Sequence, residues 1–279
     1  MIKIIADSGS TKTDWVINSS EYSQEIQTLG MNPYTNSESS LRETIVNFKE
    51  GIDVNFEDEI QIYFYGAGCA SSESKRLIAK SLSEQFPNAQ IKVEHDLLAA
   101  ARSACGTSPG LTAILGTGSN TCLYDGTNIV ENRKALGFIL GDEGSGSYIG
   151  KRVLRDYLNE KMPADLHSSF EGYLGLTDHQ IFKKVYQDIQ PNRFLASHTK
   201  WLTEYVNTEY AQEILDDAFS DLFEGHITKY SDYQKYSLNV VGSIGAVFYE
   251  ELKKVADKYQ TTIGKVIKSP IEGLVEFHS

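Results

Sequence analysis

Three aspartates in this 279-residue chain stand where an apolar run gives way to small residues: Asp7 in IADSGSTKTDW, Asp96 directly after IKVEH, and Asp142 in GDEGSG. A carboxylate at a strand end, followed by a turn of glycine and hydroxyl residues, is an arrangement that holds a metal-bound phosphate. An Asp in that place also serves simply to cap the turn. Asp96 opens a run of small residues, LLAAARSA, that allows a ligand close approach. A carboxylate there accepts the proton of an attacking hydroxyl in phosphoryl transfer, or it is an ordinary helix N-cap. Asp142 and Glu143 lie within Gly137 to Gly150, a stretch with five glycines, and a backbone so permissive serves a tight loop or a close ligand contact. Lys12 and Thr13 invite comparison with a P-loop, but the GxxxxGK[ST] spacing is missing and a strand follows where a helix is required. His95 and His198 have no second ligand at metal spacing, so packing or surface roles are expected for both.

Two glycine turns supply the frame for these carboxylates. ILGTGSN, Ile114 to Asn120, is an apolar run that stops at Gly116 and reopens through Gly118 and Ser119 into a second extended segment. The N-terminus repeats the pattern from Ile2 to Asp14, which predicts an internal duplication of strand, turn and strand. Such turns present backbone N–H groups to a phosphate chain, so two hairpins facing each other would clamp a nucleotide triphosphate.

The rest of the chain reads as α/β. Strands are expected at Ile2 to Ala6, Trp15 to Asn18, Ile26 to Leu29, Ile60 to Tyr65 and Ile91 to Glu94. Helices are expected over Ser37 to Phe48, capped by Asn36 or Ser37, after a cap at Ser71 or Ser72, and from Asp96 onward. This closes a first domain at residues 1–104. A second, residues 105–279, starts with the hairpin of Leu111 to Tyr124 and a strand near Ile129 to Glu131. It turns helical from Lys151 to about Tyr230, with breaks at Pro163, Gly172, Gly175 and Pro191. A late strand at Leu238 to Val241 enters GSIG, Gly242 to Gly245, and a helix over Val247 to Tyr259.

A formal charge of −12 argues against nucleic acid and against an anionic membrane surface as partners. Cys69, Cys105 and Cys122 are odd in number and in no CxxC pattern, so neither a disulfide framework nor a structural zinc site is indicated. The first residues contain no apolar segment long enough for a signal peptide or a membrane span, and a cytoplasmic setting is expected.

DSGSTKTDW, the Asp96 strand end, LGTGSN, GDEGSG and GSIG occur in an order that resembles the sugar kinase and actin-like ATPase superfamily. More closely, the chain resembles the N-acetylglucosamine kinases grouped with the BadF/BadG/BcrA/BcrD-type ATPases, over nearly its whole length. The resemblance implies two ribonuclease H-like domains with ATP and sugar in an interdomain cleft, the second carrying a helical insertion and the last segment packing back on the first. It implies that Asp7 holds hydrated Mg²⁺, while Gly9, Ser10, Thr11, Lys12 and Thr13 face the phosphates of ATP. Gly116, Thr117, Gly118 and Ser119 match the second phosphate motif, with Thr117 and Gly118 also near the sugar. Gly242, Ser243 and Gly245 match the adenosine motif, whose small residues let adenine lie flat against the backbone. Asp96 matches the catalytic base, and Asn32, Gly137 and Asp142 match sugar-side residues. Relatives commonly read GGWG where this chain has ALGF, Ala135 to Phe138, a departure in one wall of the sugar pocket.

The activity so implied is phosphorylation of the C6 hydroxyl of N-acetylglucosamine by ATP. Kinases for N-acetylmuramic acid or glucosamine are the alternatives within the class. An activator of a redox partner, carrying an iron–sulfur cluster, is an alternative outside it, although Cys105 and Cys122 show no cluster spacing. A small-molecule amino sugar is the expected partner, with a homodimer as in many relatives.

Overall fold

The computed structural model describes residues 1–9, 12–19 and 22–279. They form two compact units, Met1–Gly106 with Pro270–Ser279, and Thr107–Ser269. In the first unit the elements run β1 (Ile2–Ser8), β2 (Lys12–Asn18), β3 (Ser23–Leu29), α1 (Glu38–Glu50), β4 (Ile60–Gly66), α2 (Ser72–Gln85), β5 (Gln90–His95) and α3 (Asp96–Cys105). The sheet order is β3-β2-β1-β4-β5, antiparallel across β1–β2–β3 and parallel across β1–β4–β5.

Alternation along β1 decides which way its chemistry faces. Ile2, Ile4 and Ala6 join Trp15, Ile17, Ile62 and Phe64 in a core that α1 and α2 cover, with Trp15 stacked on Phe48 at 3.9 Å. Lys3, Ile5 and Asp7 therefore emerge on the opposite face. A slip of one residue in the β1–β2 register would turn the Asp7 carboxylate into that core. Both first helices start at expected caps, since Ser37 Oγ accepts from Ser40 N–H and Ser71 Oγ from Ser74 N–H.

The second unit runs β6 (Gly110–Leu115), β7 (Ser119–Tyr124), β8 (Ile129–Asn132), α4 (Gly137–Leu140), α5 (Gly146–Leu158), α6 (Ala164–Leu174), α7 (Asp178–Tyr186), α8 (Pro191–Glu204), α9 (Glu209–Gly225), β9 (Leu238–Val241), α10 (Ser243–Val247), α11 (Tyr249–Lys258) and β10 (Ile263–Ile267). Its sheet order is β10-β9-β6-β7-β8, again with an antiparallel hairpin in the middle and two parallel strands beyond it. The two sheets share one topology, as the repeated hairpin predicts. Gly146 and Gly150 let α5 press against α8, because a Cβ at Gly150 would fall 1.9 Å from the Leu195 carbonyl oxygen.

Three expectations change. Gly172 lies inside α6, and the break comes at Gly175, which adopts the left-handed conformation at the helix end. The helix expected from Val247 begins at Ser243 and is interrupted at Phe248. The strand β10 and a last helix, α12 (Ile271–Phe277), were not anticipated. α12 packs on α3 and β1 within the first unit. Arg102 donates to Tyr65 Oη at 2.8 Å, and Tyr65 Oη shares a hydrogen bond of 2.8 Å with His278 Nε2. Burial, with Arg102, Lys3 and Lys92, holds His278 down to about 4, so the ring in this bond is neutral.

Candidate active site

In the first unit the two candidate carboxylates come from the strand ends of β1 and β5. Asp7 pairs in register with Asp14 on β2 and Tyr65 on β4. Burial, then the negative charges of Asp96 and Asp14, push Asp7 up to about 7 from an ordinary 3.8, while Lys12 opposes the rise. Lys12 itself is paired with Asp14 at 2.8 Å, and Gln27 donates to the same carboxylate at 2.7 Å. A carboxyl kept partly protonated by burial and two like charges is relieved by a cation, so its donor set fits a hard ion such as Mg²⁺. Among the described residues no group of three His, Cys, Asp or Glu side chains is placed to hold a metal, so such an ion would keep most of its water.

Asp96 is the first residue of α3, and the capping position belongs to His95, whose side chain makes no cap bond. The N-cap account of Asp96 therefore fails. Its Oδ1 accepts from the adjacent Leu97 N–H, at 2.9 Å. Burial pushes the group up to about 6 although the backbone N–H groups of Leu97 and Asp96 oppose it. A carboxyl so poised takes up a proton near neutrality.

Other residues of this unit are placed less directly. Thr13 is buried, and its hydroxyl bonds Ser8 Oγ at 2.8 Å and the Leu29 carbonyl at 3.0 Å, so its side chain is engaged within the unit. Gly9 N–H donates to the Lys12 carbonyl and closes the hairpin. Ser10 and Thr11 lie outside the described residues. Asn32 Oδ1 accepts from Tyr34 N–H at 3.0 Å and sits over Gly68, where a Cβ would come within 2.4 Å of it. With φ at +81°, Gly68 is doubly required, by its backbone and by this approach.

In the second unit the β6–β7 turn is locked to the start of α5. Gly146 N–H donates to the Gly116 carbonyl at 2.8 Å, and Ser147 N–H to the Thr117 carbonyl at 3.0 Å, so first-turn donors of the helix are satisfied by the turn. Ser145 caps the same helix through Tyr148 N–H. Among the described residues, neither Thr117 nor Gly118 uses its N–H in a hydrogen bond. Asp142, in the left-handed region at φ 62°, lies against Gly118, where a Cβ would stand 2.8 Å from its Oδ2. Burial raises its pKa, against a hydrogen bond from Ser119 N–H, and Glu143 raises it further. Gly118, Ser119 and Asp142 are thus brought together, 23 or more positions apart in sequence.

Gly242 and Gly245 have a reason in the chain's own packing besides the one expected. A Cβ at Gly242 would lie 2.3 Å from the Leu115 carbonyl oxygen, and one at Gly245 2.3 Å from Val240 Cγ1. Both glycines serve the chain's own packing. Ser243 opens on a hollow of about 570 Å³ between α8 and α10, lined also by Ala196, Thr199, Lys200 and Val247. The α8 residues were missed because nothing in their spacing distinguishes them from a core helix. Gly137 starts α4 with φ +74° and open space around it. A further pair went unnoticed: His226 Nε2 and Glu143 Oε2 stand 3.0 Å apart and fix the loop after Asp142. They stand 83 positions apart in sequence, so no local pattern could have joined them.

No family model and no curated protein matches this sequence. Solved structures do. The "Putative N-acetylglucosamine Kinase" from Porphyromonas gingivalis is 35% identical, with 99% of this chain and 98% of that one covered and a TM-score of 0.89. The protein of the same description from Chromobacterium violaceum is 14% identical over 100% and 99% of the two chains, with a TM-score of 0.74. The ROK hexokinase from Thermus thermophilus shares 12% identity over 99% and 98%, with a TM-score of 0.52. The last two likenesses are of fold.

Proposed function

This chain belongs to the N-acetylglucosamine kinase family of BadF/BadG/BcrA/BcrD-type ATPases, within the sugar kinase and actin-like ATPase superfamily, and from that premise we propose that it phosphorylates an amino sugar with ATP. The acceptor we assign is the C6 hydroxyl of N-acetylglucosamine. The observation that carries the reading is Asp96, a helix-opening carboxyl bonded by backbone N–H groups next to it in sequence, with a pKa raised to about 6.

Asp96 takes the proton of the attacking hydroxyl while the sugar oxygen bonds to the γ-phosphorus. The bond from phosphorus to the β–γ bridging oxygen breaks, and ADP leaves. Asp7 would hold hydrated Mg²⁺, which when bound neutralises phosphate charge. Thr117 and Gly118 offer N–H groups to phosphate oxygens, and the hollow beside Ser243 accepts the base and ribose. Asn32 and Asp142 bind sugar hydroxyls, each with its carbonyl or carboxylate oxygen held by the chain. A small-molecule substrate in the cytoplasm is the natural setting; among the described residues no helix is long and apolar enough to cross a membrane.

The test is ADP release from ATP and Mg²⁺ with N-acetylglucosamine, N-acetylmuramic acid, glucosamine, N-acetylmannosamine, glucose or no sugar. Release that depends on N-acetylglucosamine is expected. Release independent of any sugar, or none with the whole panel, would overturn the assignment.

A further inference from the structure

The end of α9 grips the loop that carries Asp142. Asp142 stands at φ 62° and Gly144 at φ 75°, so this loop turns twice through the left-handed region. That conformation is costly for a residue with a side chain, and its surroundings must hold it. From within, Gly141 N–H donates to the Gly137 carbonyl at 2.8 Å and Ser145 N–H to the Asp142 carbonyl at 3.0 Å. From outside, α9 does the holding. A Cβ at Gly144 would lie 3.1 Å from Leu222 Cβ, so the loop rests directly on the helix. One turn on, His226 ends α9 with its N–H donating to the Leu222 carbonyl, and its Nε2 shares a hydrogen bond of 3.0 Å with Glu143 Oε2. Glu143 folds back over the loop to make it, since the same Oε2 would stand 3.3 Å from a Cβ at Gly141. The two side chains are only 15% and 23% exposed. Nδ1 of the ring is buried without a partner, so among the described residues Glu143 is the hydrogen-bond partner that fixes the ring.

The same corner reaches the other side of Asp142. Tyr230, buried just beyond His226, shares a hydrogen bond of 2.8 Å between its hydroxyl and Thr121 Oγ1 and accepts from Arg133 N–H at 3.1 Å. Thr121 lies on β7 close behind Ser119, whose N–H bonds the Asp142 carboxylate. His226 and Tyr230 thus bracket the contact between Asp142 and the β6–β7 turn. Beyond burial and the Ser119 N–H, the charges that act on Asp142 are Glu143, which raises its pKa, and Lys151 and His226, which lower it. We propose that His226 is a positioning residue for the sugar: bonded to Glu143, it fixes the loop that presents Asp142, so the corner at the end of α9 sets sugar affinity. The proposal rests on the kinase reading above and adds to it a residue that acts through the loop and not on the sugar itself.

Steady-state ADP release by the full chain, with N-acetylglucosamine and ATP varied in turn, is the test. His226→Leu leaves the Glu143 carboxylate unpartnered and removes the loop's hydrogen bond to the end of α9. The KM for sugar should rise about tenfold, while kcat and the KM for ATP change less than about twofold. His226→Gln, whose side-chain amide offers an N–H at similar reach, should return the sugar KM to within about threefold of native. Glu143→Ala should raise it as His226→Leu does, and the double variant no further, because both remove one bond. Misfolding would lower kcat through loss of active protein and leave both KM values in place, so the split in KM reads position and not stability. A sugar KM in His226→Leu within about twofold of native, or one that His226→Gln fails to recover, overturns this proposal alone. A native chain with no sugar-dependent release overturns the kinase reading and this proposal together.

Discussion

Replacing Asp7 by Asn removes a charge that burial makes costly and a cation makes tolerable. Unfolded, this carboxyl ionises near 3.8; folded, it ionises at about 7. The folded chain therefore binds more protons between those values, and the contribution of Asp7 to stability is full below pH 3.8, declines as pH rises through 7, and is level beyond. The whole difference corresponds to about 4 kcal/mol. Because Asp7 keeps some contact with solvent, screening brings the expected cost above pH 7 to about 2–4 kcal/mol. In urea unfolding of the full chain at pH 8 without divalent metal, Asp7→Asn should be the more stable protein by that margin. The margin should fall to less than about 2 kcal/mol at pH 5. Mg²⁺ at a hundredfold excess over its dissociation constant returns about 2.7 kcal/mol to the native chain, and nothing to the variant. Identical pH dependence in the two proteins, or equal responses to Mg²⁺, would refute both the burial argument and the place of the cation.

Asp96→Asn should lower kcat about 10²–10⁴-fold with KM for sugar little changed, as loss of a general base does; steady-state kinetics with normal turnover would remove the assignment. Gly118→Ala puts a Cβ within 2.8 Å of Asp142 Oδ2 and must displace that carboxylate. Sugar KM is expected to rise about tenfold, the effect of about 1.4 kcal/mol, while KM for ATP changes less. His198 is buried with neither ring nitrogen hydrogen-bonded, and burial holds it down to about 4 from 6.5. Its contribution to stability is intact above pH 6.5 and is lost as pH falls toward 4, by about 3 kcal/mol. Urea midpoints of His198→Leu should show a flatter acid limb than the native chain.

The hairpins and the strand ends were legible because their signals are local. Asp7 and Asp96 each come at the end of a short run that pairs into the sheet, and for Asp7 alternation along β1 says which way its side chain points. What was not legible depends on distant contact. β10 is five residues long and pairs irregularly with β9, so its alternation is faint. α12 spans seven residues around Gly273, where a Cβ would fall 2.5 Å from the Ser103 carbonyl oxygen. In isolation that glycine reads as a helix breaker, and only α3 explains it. At Gly245 too a distant contact was hidden, since a Cβ there would meet Val240 Cγ1.

The duplication also explains why one hairpin suits a cation and the other an anion. Ser8 pairs with Thr13 at the mouth of the first turn, and Leu115 with Ser119 at the second, so one step back Asp7 and Asp14 correspond to Ile114 and Asn120. At that level the first unit places two carboxylates on adjacent strands, and the second places none. Backbone N–H groups at the second turn therefore meet a phosphate with no strand carboxylate repelling it, whereas the first turn needs a positive ion before a phosphate can approach. The carboxylate that does reach the second turn, Asp142, arrives from a loop. Its Ser119 hydrogen bond and its burial leave it suited to accept bonds from neutral hydroxyls. Shared topology thus sets the positions, and the identities of two paired residues, Asp7 and Asp14 against Ile114 and Asn120, set the charge beside each turn.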